Sequence, residues 1–177
     1  MKILVTGLSE SKYFSDKYDL TIGVNNCPFQ VDHLIICDHP KVFDGDRLKV
    51  IKDHPGWLFT HITDWQQYRQ AELIKLSSVR SDISELNTDR YCHSISSPFI
   101  AVIHAYKCGA KEIHLAGVDL IGHPHLGQDH NIKKCQRDFA ALSTALKNNG
   151  CSVKLIRSTK NGAMLNILDK ADGFEFV

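Results

Sequence analysis

Apolar residues occur along the chain in two patterns: short uninterrupted runs, and longer segments in which they recur every three or four positions. Uninterrupted runs that stop at Gly, Asn, Asp or Pro are typical of strands buried on both faces of a parallel sheet. They predict strands at residues 2–7, 20–25, 33–38, 47–53, 57–62, 112–119 and 152–157.

The second pattern predicts helices at residues 64–75, with Asp64 as the N-cap, and at 98–108, 131–148 and 163–171. For the helix at 98–108, Ser96 or Ser97 supplies the cap, and Pro98 falls in the first turn. Gly109 follows its last residue, as is common at helix ends. Apolar residues surround this helix almost completely, which predicts that it is buried.

Helices that alternate with apolar strands indicate a parallel sheet covered on both faces. The chain of 177 residues has a length typical of one domain, and no repeat, low-complexity segment or linker interrupts it. We therefore predict a single Rossmann-like three-layer α/β domain over residues 1–177, with a mainly parallel sheet. A structure dominated by antiparallel strands would contradict this prediction.

Composition and charge argue against several classes of protein. Hydrophobic residues make up 43% and charged residues 23%, which is typical of a globular protein. The net charge of +1 argues against a nucleic-acid-coating protein. No apolar run is long enough for a transmembrane helix, and no signal peptide is recognised, so a cytoplasmic protein is expected. The six cysteines form no CxxC pair and are expected to be buried thiols. The sequence leaves open whether the protein forms an oligomer.

Polar residues and glycines cluster where the predicted strands end, which is where parallel sheets bind ligands. The candidates are Gly7, Ser9, Asn25, Asn26, Asp38, Gly117 and Asp119 after strands, and Ser97 and Asn161 at helix starts. Such neutral donors suit a nucleotide, with backbone amides and hydroxyls at the phosphates and side-chain amides at the sugar or base. Each residue taken singly is also explained as a turn former or cap. Neither a GxGxxG nor a GxxxxGK[ST] motif is present.

The segment DLIGHPHLGQDH, residues 119–130, allows three interpretations. His123 and His125 are spaced as metal ligands, with Asp119, Asp129 or His130 as the third. Alternatively, the segment is an ordinary solvated loop. In the third interpretation a histidine acts as a catalytic base, and His130 is the candidate because it stands where the next helix begins. Six other histidines, at positions 33, 54, 61, 93, 104 and 114, are interpreted as structural.

One family resemblance is carried by the second half of the chain. SSPFIAVIHAYKCGAKEIHLAGVDLIGH resembles the segment in which bacterial sialyltransferases of the lipooligosaccharide type place a serine, a buried helix, G-x-K-E-I-x-L-x-G-x-D and a loop. The strand SVKLIR and the turn STKNGAMLNIL resemble that family's closing elements. The layout is also similar to that of the DUF115 group, which includes archaeal pterin pyrophosphokinases, and to small phage and bacterial proteins.

The resemblance implies a transferase with a CMP-sugar donor, no metal or other cofactor, and His130 as the general base. It places Gly7 and Ser9 near the phosphates, and Asn25 at the nucleotide or donor sugar. Asp38 occupies the third-strand position, and Ser97 approaches the nucleotide. In a pyrophosphokinase-like alternative, which uses ATP and Mg²⁺, Asp38 and Asp119 become metal ligands. A third alternative is a non-catalytic, phage-type protein that sequesters a nucleotide.

Overall fold

The centre of the protein is a sheet of eight strands in which every neighbouring pair runs parallel. The computed structural model describes residues 1–8, 18–80, 82–94, 96–118, 129–156 and 175–176, the backbone alone for 129–132 and 175–176. The spatial order of the strands is β10-β9-β8-β1-β2-β3-β4-β5, and β6 and β7 form a separate parallel pair.

The strands are β1 Lys2–Thr6, β2 Leu20–Val24, β3 His33–Ile36, β4 Trp57–Thr60, β5 Ala71–Leu73, β6 Leu76–Arg80, β7 Tyr91–His93, β8 Glu112–Ala116, β9 Ser152–Leu155 and β10 Glu175–Phe176. The helices are α1 Gly45–Asp53, α2 Ser97–Lys107 and α3 Asp129–Asn148, with 3₁₀ turns at Pro40–Val42 and Thr63–Gln67. From β1 the chain builds outward to β5 on one side, and β8, β9 and β10 extend the sheet on the other. The connections therefore diverge between β1 and β8, which is the point where the topology of an open parallel sheet predicts a ligand-binding crevice.

Side chains of the strands alternate between two apolar layers. Ile3 and Val5 of β1 are fully buried and pack in one cluster with α2 and α3. The rings of Phe99 in α2 and Phe139 in α3 meet edge to face at 5.6 Å within that layer. On the opposite face, Ile51 of α1 joins a second cluster that contains residues of β3 and β4. Helices thus cover both faces, and the predicted Rossmann-like α/β fold with a mainly parallel sheet is confirmed.

The helices α2 and α3 lie where the apolar periodicity predicts them, and Gly109 and Gly150 follow their ends with positive φ angles of 93° and 75°. All six cysteines are free thiols. In the part of the chain that the structure describes, no helix is long and apolar enough to cross a membrane. The predicted helix at 163–171 lies outside the described residues.

Two predicted elements are wrong. Residues 47–53, predicted as a strand, belong to helix α1, because the Asp44 side chain accepts a hydrogen bond from the amide of Arg47 at 3.0 Å and caps the helix. Residues 64–75, predicted as a helix, form a 3₁₀ turn and then strand β5. Trp65 is fully buried there, and its indole nitrogen donates to the Asp38 carbonyl at 2.9 Å, so tertiary packing overrides local propensity. Asp64 pairs with His39 instead of acting as the N-cap.

Candidate functional site

Two glycines lie side by side where β1 and β8 leave the sheet. The amide of Gly7 donates to the carbonyl oxygen of Ala116 at 2.8 Å, continuing the β1–β8 pairing by one residue. A Cβ on Gly7 would lie 2.1 Å from the carbonyl oxygen of Gly117, which is far inside van der Waals contact. Gly117 itself has a φ of 61°. Glycine at both positions brings the two backbones together and leaves the floor of the crevice without side chains.

This geometry corrects one detail of the sequence prediction. An amide at Gly7 was expected to hold phosphate charge, yet that N–H is already engaged by Ala116. Gly7 therefore stays a candidate because of the close backbone approach that it permits, and not because it offers a free donor.

Asn25, the residue directly after β2, has a buried oxygen that lacks a hydrogen-bond partner among the described residues. Its φ of 52° lies in the left-handed region, which asparagine tolerates better than most residues. Its amide donates to the carbonyl of Ile35 at 3.0 Å, which fixes the turn. The side chain is 9% exposed, so its unpaired Oδ1 is held inside the protein at the carboxyl edge of the sheet.

Ser96 presents the same feature at the start of α2. It has the extended backbone of an N-cap, but its hydroxyl makes no capping hydrogen bond. That hydroxyl is buried and has no partner within the described part of the chain. The expectation that Ser96 or Ser97 caps this helix is thus right for the backbone position and wrong for the hydroxyl's role. Buried polar atoms are nearly always paired, so an orphan oxygen calls for an explanation.

Ser97 and Asp38 lie at the same edge as these two oxygens. The hydroxyl of Ser97 hydrogen-bonds to the thiol of Cys37, which follows β3. Burial and the adjacent Asp38 carboxylate raise the pKa of Cys37 to about 12, while Ser97 acts in the opposite direction. Cys37 is therefore a neutral thiol at physiological pH. Asp38 is exposed and is the acidic group of this corner.

Two histidines that were interpreted from the sequence as structural also reach this corner. His61 is the first residue after β4 and is exposed, and His93 ends β7. Loss of hydration and the nearby His93 lower the pKa of His61, whereas Asp38 raises it, so the three side chains interact. Asn25 was selected because it directly follows a predicted strand. The same criterion selects His61 if the strand predicted at 57–62 is ended at Thr60, where β4 ends.

The remaining predicted site residues fall into two groups: some are described by the structure, and others lie outside the described residues. The Oδ1 of Asn26 accepts a hydrogen bond from Nε of Arg47 at 3.2 Å, which ties the turn to α1. The backbone of His130 is the second residue of α3, because the helix begins two residues earlier than predicted, at Asp129, and the side chain of His130 lies outside the described part. Residues Ser9, Asp119, His123, His125 and Asn161 lie outside the described residues.

Comparison with solved structures gives two matches, both of the sialyltransferase CstII from Campylobacter jejuni. The complex with the substrate analogue cytidine-5'-monophosphate has a TM-score of 0.50 at 14% identity, over 97% of this chain and 85% of that one. The complex with CMP-3FNeuAc has a TM-score of 0.50 at 12% identity, over 99% and 84%. No family model and no curated protein matches the sequence. The likeness establishes the fold. The DUF115 and phage parts of the resemblance gain no support from it.

We predict that Gly7→Ala destabilises the protein while Gly45→Ala does not. The new methyl group of Gly7→Ala meets backbone atoms that cannot move aside, and overpacking of this kind costs about 1–3 kcal/mol or more. A Cβ on Gly45, at the start of α1, meets nothing within 4 Å. Urea denaturation of both variants measures the difference, and equal midpoints would show that the β1–β8 exits are not in close contact.

Proposed function

We propose that this chain is a transferase that binds a cytidine nucleotide-sugar in the crevice between β1 and β8 and transfers the glycosyl group to an acceptor hydroxyl. The observation that carries the proposal is the pair of buried, unpartnered oxygens, Asn25 Oδ1 and Ser96 Oγ, at the carboxyl edge of the sheet. Support comes from the fold shared with a sialyltransferase described in complex with CMP.

The chemistry of the two oxygens suits a nucleoside. An amide oxygen can only accept, so Asn25 Oδ1 pairs with a ligand N–H or O–H, such as a base amino group or a ribose hydroxyl. The Ser96 hydroxyl can also donate and therefore suits a phosphate or ribose oxygen. The floor formed by Gly7 and Gly117 leaves room for the sugar and phosphate to approach the backbone.

In the transfer step the acceptor oxygen forms a bond to the anomeric carbon, and the bond from that carbon to the phosphate oxygen breaks. The nucleoside monophosphate leaves with the electron pair of the broken bond. The acceptor proton passes to a base, which we assign to His130 on its position in the first turn of α3 after the β8 loop. His61 is the second candidate for this proton, because it is exposed beside Asp38. No metal ion takes part in the step.

A panel of CMP, UDP, ATP and NAD, measured by thermal shift and calorimetry, tests the proposal most directly. We expect CMP to stabilise the protein, by about 2.7 kcal/mol at a ligand concentration 100 times the Kd. EDTA should leave CMP affinity unchanged, whereas a pyrophosphokinase would require Mg²⁺ and prefer ATP. Absence of binding by every nucleotide in the panel would rule out both the transferase and the sequestering alternative.

Replacing Ser96 should separate binding from stability. Ser96→Ala removes an unpaired buried hydroxyl that makes no capping bond, so the stability of the ligand-free protein should stay equal or rise. CMP affinity should fall roughly 2- to 10-fold, the value of one net hydrogen bond of ~0.5–1.5 kcal/mol.

The matched control is Ser94→Ala, two residues away. The Ser94 hydroxyl is also buried but donates to the carboxylate of Asp138 at 2.7 Å, so its loss should cost about 1–3 kcal/mol. If Ser96→Ala instead destabilises by ~1 kcal/mol with CMP affinity intact, Ser96 is an ordinary helix cap.

Two histidine variants test which residue is the base. Their kcat values are compared with that of the wild type, once a donor and an acceptor that the enzyme converts have been found. We expect His130→Ala to lower kcat ~10²–10⁴-fold, as typical for loss of a general base. His61→Ala should change kcat far less, because we assign no proton transfer to it. Full turnover by His130→Ala would remove that assignment, and a large loss in His61→Ala would transfer the role to His61.

A further inference from the structure

Three side chains at the amino edge of the sheet, opposite the crevice, have the composition of a transition-metal site. His33 begins β3, His104 lies in α2, and Cys108 directly follows the last residue of α2. His33 Nδ1 lies 2.9 Å from His104 Nε2, and Cys108 Sγ lies 3.6 Å from the same nitrogen. All three potential ligand atoms lie within 4.8 Å of one another.

The fold brings these residues together through two regular spacings. His104 and Cys108 are four residues apart and therefore lie on the same face of α2. His33 shares the α2-facing side of β3 with Ile35, two residues along the strand. A separation of 71 residues between the two histidines explains why no metal-binding motif is visible in the sequence.

Hydrogen bonding within this cluster leaves the Cys108 thiol without a partner of its own at His104. The Nε2 of His104 faces both His33 and Cys108, yet a neutral imidazole nitrogen carries either one hydrogen or one lone pair. It can therefore make one good hydrogen bond and not two. A metal ion placed between the three atoms would engage the lone pairs of both imidazoles and the thiolate at once.

The distances are close to those that zinc requires. With Zn–N of ~2.0–2.1 Å and Zn–S of ~2.3 Å, tetrahedral geometry separates two nitrogens by about 3.3 Å and a nitrogen from a sulfur by about 3.6 Å. The distance from Cys108 Sγ to His104 Nε2 already has the second value. The gap between the two nitrogens must widen by about 0.4 Å, which lies within reach of the half-buried His33 ring.

Burial and support also fit a metal site. His104 is 3% exposed, whereas His33 and Cys108 are half-buried, so an ion could enter from solvent and a water could complete the coordination. The hydroxyl of Tyr91 lies 2.9 Å from His104 Nδ1, the nitrogen that points away from the cluster. When Tyr91 accepts from Nδ1–H, Nε2 is left as a lone pair, which is the tautomer that a metal ligand needs.

We propose that His33, His104 and Cys108 bind a zinc-class divalent ion, with Tyr91 orienting His104. Two imidazoles and one thiolate are ligands that Zn²⁺ prefers. The ion would fasten the start of β3 to the end of α2, on the opposite edge from the nucleotide crevice. The ion would not touch the substrates of the proposed transfer reaction.

Chelator-treated protein titrated with Zn²⁺ against a chromophoric indicator tests the site. We expect one equivalent bound, with a Kd of about 1 µM or lower. Substitution with Co²⁺ should give a thiolate-to-cobalt charge-transfer band, which reports the sulfur ligand directly in the wild-type protein. Cys108→Ser should abolish the band and weaken Zn²⁺ binding at least ~10-fold, and Tyr91→Phe should weaken it ~10–100-fold while keeping the band.

Two control variants identify the site. Cys37→Ser changes a partly buried thiol at the opposite edge and should keep both the band and the affinity. The double variant His123→Ala/His125→Ala removes the spaced histidines of the 119–130 segment and should also bind normally. Failure of the wild type to bind Zn²⁺, a cobalt complex without the band, or loss of binding only in the loop variant would each overturn the proposal. Circular dichroism of every variant separates loss of binding from loss of fold.

Discussion

The position of β1 between β2 and β8 is the constraint on which the rest of the structure depends. Residues Ile3, Leu4 and Val5 are fully buried, and each pairs with a strand on both sides. Because the chain extends the sheet in opposite directions from this strand, the connections separate at its carboxyl end. Contact between Gly7 and Gly117 closes the bottom of that opening with backbone alone. The position of the predicted crevice consequently follows from the topology, with main-chain atoms of Gly7 and Gly117 at its base.

The carboxyl edge of the sheet differs from the surrounding core because it holds buried polar atoms without hydrogen-bond partners. A buried, unpaired polar group costs about 1–3 kcal/mol, a large share of the ~5–15 kcal/mol by which a domain is stable. Asn25 and Ser96 place two such oxygens on neighbouring elements at one edge. A ligand that hydrogen-bonds to both would recover this cost on binding. The unfavourable state of the ligand-free protein would thereby contribute to the affinity of the proposed ligand.

Part of the fold could be predicted from the sequence, because some elements have a local apolar pattern and others do not. Buried strands and the helices α2 and α3 have continuous apolar patterns, so local sequence alone identifies them. Helix α1 was mistaken for a strand because LKVI has a strand-like composition, and its helical state depends on the cap at Asp44. β5 is a short edge strand whose partner, β4, lies earlier in the chain. Such pairing leaves little local signal.

For the candidate site, the sequence predicts where polar residues lie but not which of their atoms are free to bind a ligand. The strand-end rule selected Asn25 and Asn26 together, and in sequence they are equivalent. Only the three-dimensional structure shows that Arg47, 21 residues away, occupies the oxygen of Asn26 and leaves that of Asn25 unpaired. The same limit applies to His33 and His104, whose meeting depends on how α2 crosses β3. Long-range contacts decide which polar atoms are used, and sequence spacing does not record them.

Helix α2 connects the two edges of the sheet physically. Its start, with the N-cap Ser96 and the first residue Ser97, lies at the proposed nucleotide site, and its end carries His104 and Cys108 at the proposed metal site. The helix has 11 residues, about 16 Å at ~1.5 Å per residue, and most of its side chains are buried. A close-packed helix moves as a unit rather than bending within the core. An ion that fixes the end of α2 against β3 would therefore also fix the hydroxyl of Ser96 relative to Asn25, although neither residue touches the metal.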